Sequence, residues 1–509
     1  MLKESNKRLV KNTLALYFRT FITLIVSLYT TRIVLDVLGE TDYGIYSLVA
    51  GVVILFSFLN GALSYATERF LTVQLGKKNL QKMKQVFSMS MTTLFLLVVI
   101  FIILAETLGL WFVNSELNIP AERLWAANWT YQLSIATFCV TVLRTPYRAT
   151  IISNEKMTFF AYVSIFESIL KLAIVFYLQL STYDKLVSYA TLFLISTFLV
   201  NLIYFFYCKR NFITCYYHFF WDNKLFIKMA SFTGWNLLGN ITNIFTQSGV
   251  VFIVNFFYGV GLNASLGIAN QVNSAVTSFI SGFQTSFVPQ IVKLHSQSKT
   301  EELHKMINST SRFSFMLITI PVLILILNMP FILNLWLKVV PDYTVEFCLW
   351  IVAGSLIDAI TGPYYAGIMA NGNIKRYQIA ISLSFVLDFI IIFILLHIGV
   401  SPAWIFISRI FTRGIINMLI GLFYLKILIN FNVSNYLKKV LFPVIKSLII
   451  IIPVPFVISL KMVNWEQFIL SSLSIVVISA LTFYKLLLTK GESLIVKTYI
   501  NKFFKTNNV

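Results

Sequence analysis

Charge is what this chain has least of. Only 12% of its 509 residues are Asp, Glu, Lys or Arg, while 58% are hydrophobic, and a soluble domain carries about twice that share of charge. So few charged groups cannot cover a water-exposed body of this length. Acids are the scarcer sign, with 20 Asp and Glu against 40 Lys and Arg. The four cysteines, Cys139, Cys208, Cys215 and Cys348, have no metal or redox spacing, which excludes a disulfide scaffold. The four histidines, His218, His295, His304 and His397, are scattered. No Asp-x-Asp and no Gly-x-x-x-x-Gly-Lys occurs, so neither a metal–nucleotide-sugar site nor a built-in ATPase is written here. No metal, no cofactor and no enzymatic activity are expected.

What is present in abundance is long apolar runs. About 20 uncharged residues are needed for a helix to cross roughly 30 Å of hydrocarbon. Fourteen stretches meet or approach this: 12–36, 43–67, 86–113, 125–143, 157–180, 186–207, 230–256, 262–290, 313–337, 347–370, 377–399, 402–425, 440–460 and 466–484. They are too long for barrel strands, so the expected fold is an all-α integral membrane protein of about 14 transmembrane helices.

The basic residues orient it. An even number of spans puts both termini on one side. Thirty Lys and Arg fall on that side, in the segments that include Lys3 to Lys11, Arg69 to Lys84, Arg144 to Lys156 and the tail. The other side holds four, Arg123, Lys185, Lys338 and Lys461. Such an imbalance places both termini in the cytoplasm. The net charge of +20 is then topology and attraction to anionic membrane lipid rather than affinity for nucleic acid. The basic start followed by an apolar run is read as the first span and not as a signal peptide, because the run is long and holds Arg19 and Arg32;.

The loops are short, with none able to house a catalytic domain. The chain divides near its middle. At one constant offset, Gly44-Ile45 falls on Gly267-Ile268 and Leu80-Gln81-Lys82-Met83 on Leu303-His304-Lys305-Met306. This suggests a parallel internal repeat. The expected domains are a six-helix lobe over 1–208, a cytoplasmic interfacial linker over 209–229, a second six-helix lobe over 230–428, and two extra helices with a basic tail over 429–509. The lobes are expected to be related by a pseudo-two-fold axis along the membrane normal, with a cavity between them.

Ionisable groups at bilayer depth are costly and usually meet a partner or a wet surface. Arg19 lies inside the first span with no acid three or four residues away, and Arg32 lies near that span's outer end, four residues from Asp36. Glu167 and Lys171 sit mid-span at i, i+4, the order that favours a mutual pair. Arg409 and Arg413 share one face of the twelfth span; two like charges there need anions. Asp388 on the preceding span lies at nearly the same depth as Arg413, and Asp358 in the tenth span is the other candidate partner or proton site. From Ala230 to Val292 there is no charged residue. Instead Asn236, Asn240, Asn243 and Gln247 form one helical stripe, and Asn270 and Asn273 begin another. These amides serve either as interhelical glue or as hydrogen-bonding groups for sugar hydroxyls.

The first two spans read Asn12-Thr-Leu-Ala-Leu-Tyr17, Leu28-Tyr-Thr-Thr-Arg32 and Leu38-Gly-Glu-Thr-Asp-Tyr-Gly-Ile-Tyr46. This stretch resembles the polysaccharide-biosynthesis flippases of the multidrug/oligosaccharidyl-lipid/polysaccharide exporter superfamily. Fourteen spans in two lobes plus two trailing helices are similar to that superfamily as well. The resemblance implies a multi-pass protein of the bacterial plasma (inner) membrane. Such a protein moves a polyprenyl-diphosphate-linked oligosaccharide from the cytoplasmic to the outer leaflet by alternating access. Membrane lipids and polysaccharide assembly proteins would be its partners. It also implies a cationic substrate site, for which Arg19, Arg32, Arg409 and Arg413 would meet phosphate. Asn236, Asn240, Asn243, Gln247, Asn270 and Asn273 would meet sugar. Glu167, Lys171, Asp358 and Asp388 are left as coupling residues or ion pairs. The alternative is a cation-coupled multidrug-type exporter of the same superfamily. That branch uses embedded acids in the first, seventh or eighth span, whereas here the seventh and eighth have none and the first has only Asp36 at its edge.

Overall fold

The computed structural model describes residues 2–54, 57–115, 119–258, 260–337, 340–459, 465–489 and 491–493, and it is all-α, with no strand among them. The Arg32 side chain, Lys338, Lys461 and the tail beyond Ser493 lie outside the described parts. The helices are α1 (Leu2–Ile54), α2 (Ser57–Gly76), α3 (Leu80–Ser115), α4 (Leu124–Ser153), α5 (Met157–Leu180), α6 (Lys185–Asn211), α7 (Asn223–Tyr258) and α8 (Val260–Ser296). They continue with α9 (Thr300–Leu327), α10 (Met329–Trp336), α11 (Thr344–Asn371), α12 (Lys375–His397), α13 (Trp404–Ile429), α14 (Val433–Val457) and α15 (Trp465–Leu487).

Each of the fourteen apolar stretches falls mainly on helix where it is described; 313–337 is broken at Asn328 into α9 and α10, 377–399 and 402–425 have a turn at one end, and 440–460 bends at Ile452. Among the described residues ten helices are long and apolar enough to cross a membrane, and Asn12–Ser27 is a shorter apolar stretch on α1. The polar residues of α4 and α8 keep those two helices below that threshold. In lipid every backbone N–H and C=O must be satisfied within its own segment, so long apolar runs become helices. The helix ends are closed locally. Asn79 and Asp184 accept hydrogen bonds from the N–H groups of Lys82 and Val187, as N-cap side chains do. Large apolar side chains such as Phe95, Ile100 and Ile103 on α3 face outward, while Leu94, Val98 and Phe101 of the same helix are buried.

Several helices run further than the apolar runs do, on the side expected from the basic residues to be cytoplasmic. Arg69 stands within α2, Arg144 and Arg148 within α4, and Arg312 within α9, where apolarity alone suggests loops. A helix leaving the hydrocarbon has no need of apolar residues, so its end is invisible to a hydropathy reading.

The chain forms two compact units. Unit 1 is Met1–Ile241, Thr285–Lys299 and Gly372–Gln378; unit 2 is Thr242–Gln284, Thr300–Asn371 and Ile379–Val509. In unit 1, α4 packs against α6 and α2, and α1 against α5, over a core that includes Leu94, Phe101, Tyr131, Phe138 and Leu186. In unit 2, α11 packs against α9 and α13, over Val254, Val322, Leu333, Phe347 and Phe406.

A second alignment of the halves becomes visible on α4 and α11. Thr145-Pro146-Tyr147-Arg148-Ala149-Thr150-Ile151 pairs with Gly362-Pro363-Tyr364-Tyr365-Ala366-Gly367-Ile368, and Asn154 with Asn371. Both helices end in a turn at positive φ, at Glu155 (58°) and Gly372 (86°). The α2–α3 and α8–α9 turns also match, with Lys78 and Ser298 at 53° and 57°.

The Leu-Gly-x-x-Asp-Tyr-Gly segment has a physical role. Gly39 takes φ 76°, ψ 169° and breaks α1 there, a conformation that costs residues with a Cβ. Just beyond it, Asp42 accepts from Arg123 Nε (2.8 Å), and Arg123 Nη1 donates to Asp184 at the start of α6 (2.6 Å). One guanidinium thus ties three segments of unit 1 together. Its two carboxylates, Asp184 first and then Asp42, raise its pKa against the cost of burial.

Candidate functional site

Unit 1 gathers four cations from three helices. Arg19 comes from α1, Arg144 and Arg148 from α4, and Lys171 from α5. Glu167, also on α5, takes Lys171 Nζ at 3.0 Å and Arg144 Nη1 at 3.4 Å. The i, i+4 pairing of Glu167 with Lys171 is a consequence of helix geometry; Arg144 reaches the same carboxylate from its own helix.

Arg19 and Arg148 are arranged differently. Their guanidinium carbons lie 4.7 Å and 5.4 Å from the centroid of the Phe160 ring, which is itself buried at 5% exposure. Neither is ion-paired among the described residues. A ring face attracts a cation but does not neutralise it. Arg19 Nε is buried and has no hydrogen-bond partner among the described residues, while Arg148 is exposed. Glu68 on α2 is within electrostatic reach of Arg148. Counting both acids, the group keeps two positive charges in excess. Arg144 also lies 5.6 Å from the Tyr204 ring and Lys171 5.1 Å from Phe193, so aromatic faces wall the group on α6.

What this arrangement can do follows from its donors. Guanidinium groups present planar forks matched to phosphate or carboxylate oxygens. Two of them stand beside one apolar ring, in no ion pair among the described residues, with N–H donors of the kind an anion accepts;. A separate cavity of about 300 Å³ in unit 1, lined by Leu75, Lys78, Glu155, Lys293 and others, contains none of these cations.

Unit 2 holds the second charged group, and there the charges are paired. Asp388 is fully buried. Its Oδ2 accepts from Arg413 Nε at 2.7 Å and its Oδ1 from the Thr412 hydroxyl at 2.6 Å. The rest of the Arg413 fork is also occupied. Nη1 donates to Asn243 Oδ1 (2.7 Å) and Nη2 to Thr246 Oγ1 (2.6 Å). Arg409 stands 3.6 Å from Asp388, and its Nε and Nη2 have no hydrogen-bond partner among the described residues. Both arginines flank or lie in a π-helical turn, Ile410–Ile416, a distortion common at functional positions. Asp358 on α11 is exposed.

The remaining amides are dispersed. Asn236 is buried and accepts from Gln378 at 3.5 Å within unit 1, and Asn240 is exposed. Gln247 donates to Asn243 at 3.3 Å. Asn270 is exposed and Asn273 half-buried; their backbone carbonyls accept from Ser274 and Thr277 on the same helix. Thus the structure brings Arg19 together with Glu167 and Lys171, and Asn243 together with Asp388, Arg409 and Arg413. The residues that apolarity hides are Arg144, Arg148 and Thr246. For Arg148 the Pro-Tyr repeat is the available signal, because it aligns this residue with Tyr365 in sequence and so places both inside helices.

No family model matches the chain, and no curated protein is found to be similar to it. Its fold is similar to those of solved MATE transporters. A crystal structure of a MATE protein in the straight conformation superposes with a TM-score of 0.73 at 14% identity, over 85% of this chain and 97% of that one. An outward-facing multidrug resistance MATE family transporter of the MOP superfamily gives 0.71 at 13%, over 83% and 96%. A MOP superfamily transporter from Pyrococcus furiosus gives 0.69 at 12%, over 84% and 96%; its binding pocket is described as having reversed polarity, suggesting a different function.

Proposed function

We propose that this chain is a membrane transporter that moves a polyprenyl-diphosphate-linked oligosaccharide from the cytoplasmic to the outer leaflet of a bacterial plasma membrane, by alternating access. The likeness to MATE structures supports the transporter part of this reading. The single observation that carries the anionic cargo is the surplus of cations around Phe160, where Arg19 and Arg148 are in no ion pair among the described residues. Sugars and phosphates cannot cross hydrocarbon unaided, since each unsatisfied polar group costs several kcal/mol there. A dianionic headgroup would be held by the two guanidiniums, with Arg144 and Lys171 reinforcing the field beyond Glu167. Outward movement of negative charge is favoured by an inside-negative potential, by about 2.3 kcal/mol per charge per 100 mV.

An organic cation would meet repulsion at this group, which weighs against the multidrug reading. The Pyrococcus protein, whose reversed pocket polarity suggests a different function, is a precedent for divergence on a similar fold. The deciding experiment replaces Arg19 and Arg148 with Ala together and follows surface polysaccharide in a host lacking its own flippase. Membrane levels of the variant are checked in parallel. Loss of surface polysaccharide is expected. Normal export by the double variant, or resistance to organic cations conferred by the wild type alone, would overturn the reading.

A further inference from the structure

Asp388 presents a problem that unit 2 solves with its own chain. A fully buried carboxylate is tolerated only when it is paired and hydrogen-bonded. Here the pairing cation is the guanidinium of Arg413, and every group that holds this cation does so through oxygen. The ligands are a carboxylate oxygen of Asp388, the amide oxygen of Asn243 and the hydroxyl oxygen of Thr246. The other Asp388 oxygen accepts from the Thr412 hydroxyl, which lies next to Arg413 in sequence. One negative charge and a set of neutral oxygens, drawn from α7, α12 and α13, is the donor set that hard cations prefer.

We infer that Arg413 is a tethered counter-cation, filling an oxygen cage that would otherwise take a hard monovalent cation such as Na⁺. Three features support it. Every nitrogen of the guanidinium is engaged, with Nε, Nη1 and Nη2 each donating to one oxygen. The π-helical turn Ile410–Ile416 contains Arg413 and Thr412, so the backbone is distorted where the cage is made. Phe385, one turn from Asp388, lies 4.8 Å from the Arg413 guanidinium and supplies an apolar wall without competing oxygens. Arg409, at 3.6 Å from Asp388, adds positive charge that opposes entry of a further cation. The consequence is that unit 2 holds α7, α12 and α13 together without an inorganic ion. A covalently attached cation cannot dissociate, so Asp388 stays neutralised whatever the salt outside. This inference concerns unit 2 alone and stands whether or not the cargo is a lipid-linked oligosaccharide.

The test is thermal unfolding of the purified full chain in detergent, in NaCl, KCl or choline chloride at matched ionic strength. The wild type is expected to melt at the same temperature in all three salts. Arg413→Ala and Arg413→Gln are expected to melt lower in choline chloride and to recover in NaCl, with a saturating dependence on Na⁺ concentration, as ligand binding to the native state requires. Recovery of these variants only when they are purified in NaCl counts as the same result. The Asp388→Asn, Arg413→Gln double variant removes the anion of the cage and is expected to lose the Na⁺ response. A saturable Na⁺-specific stabilisation of the wild type would overturn the inference. So would Arg413 variants that show no preference for Na⁺, or that cannot be recovered in any of the salts.

Discussion

Arg19 and Arg148 approach one ring, that of Phe160, at 4.7 Å and 5.4 Å, from helices that begin more than a hundred residues apart in sequence. Glu167 is the nearby acid with ion pairs, and Arg144 and Lys171 already use it. The two guanidiniums are therefore in no ion pair among the described residues. A hydrogen bond to a charged group contributes about 1.5–3 kcal/mol. Arg19→Ala and Arg148→Ala are each expected to weaken binding of a diphosphate-bearing lipid by roughly 10- to 100-fold. Arg148→Lys should keep part of the affinity, because Lys retains the charge but not the fork. Titration of the purified protein in nanodiscs with a short-chain prenyl diphosphate measures this; equal affinity for wild type and Arg148→Ala would remove Arg148 from the site.

Glu167 joins two cations, so its removal leaves both without their acid. Glu167→Gln is expected to destabilise unit 1 by about 1–3 kcal/mol, less than the 3–5 kcal/mol of a fully buried pair, because the Glu167 side chain is 22% exposed. Lys171→Met should cost less, since Arg144 continues to hold the carboxylate. The order of the two thermal midpoints is the check. A Lys171→Met variant that melts below Glu167→Gln would show that Arg144 does not share the carboxylate.

How far these features are legible in sequence depends on which physical rule each obeys. Membrane helices follow one local rule, apolarity over about 20 residues, and the stretch 157–180 coincides with α5 at both ends. Their ends beyond the apolar run follow no such rule, which is why Arg144 and Arg148 read as loop residues although both stand in α4. The depth of Asp388 and Arg413 can be counted along their two spans, and the pair forms. The grip of Asn243 and Thr246 on Arg413 depends on how α7 lies against α13, and a linear pattern does not encode that. The Asn and Gln stripe on α7 is likewise visible as a stripe, but its members are divided between a buried contact, an ion cage and open surface.

The Arg123 clamp gives a pH dependence. Burial alone would raise the Asp184 carboxyl, but the Arg123 hydrogen bond and the Val187 N–H outweigh it and hold its pKa below the usual carboxylate range. A lowered carboxyl contributes stability that is present above the unfolded value of about 3.9 and is lost as pH falls through the lower folded value. The clamp is partly exposed, with Arg123 at 27% and Asp184 at 28%, so screening limits it. Arg123→Ala is expected to cost about 1–2 kcal/mol near neutral pH, and the gap to wild type should close below about pH 4. Thermal midpoints of the two proteins between pH 3 and 8 would test this. A gap that persists unchanged at the lowest pH would mean the carboxylates are not its source.

Gly421 tests packing rather than charge. It lies on α13 against the buried Tyr364 of α11, and a Cβ placed on it would stand 2.3 Å from the Tyr364 ring. Between membrane helices there is little hydrophobic drive, so close approach and dispersion carry the association, and small residues make it possible. The Tyr364 ring has little freedom to move, being 2% exposed and set edge-on to Tyr436 at 6.4 Å. Tyr436 is in turn hydrogen-bonded to the carbonyl of Ile360 at 3.2 Å. Gly421→Ala must therefore push α13 away from α11 or tilt the ring, and is expected to destabilise unit 2 by about 1–3 kcal/mol, the usual cost of overpacking. The compensating change is Tyr364→Leu, which frees the space; the double variant should melt above Gly421→Ala alone. If Gly421→Ala melts with the wild type, the two helices are not in contact at this position.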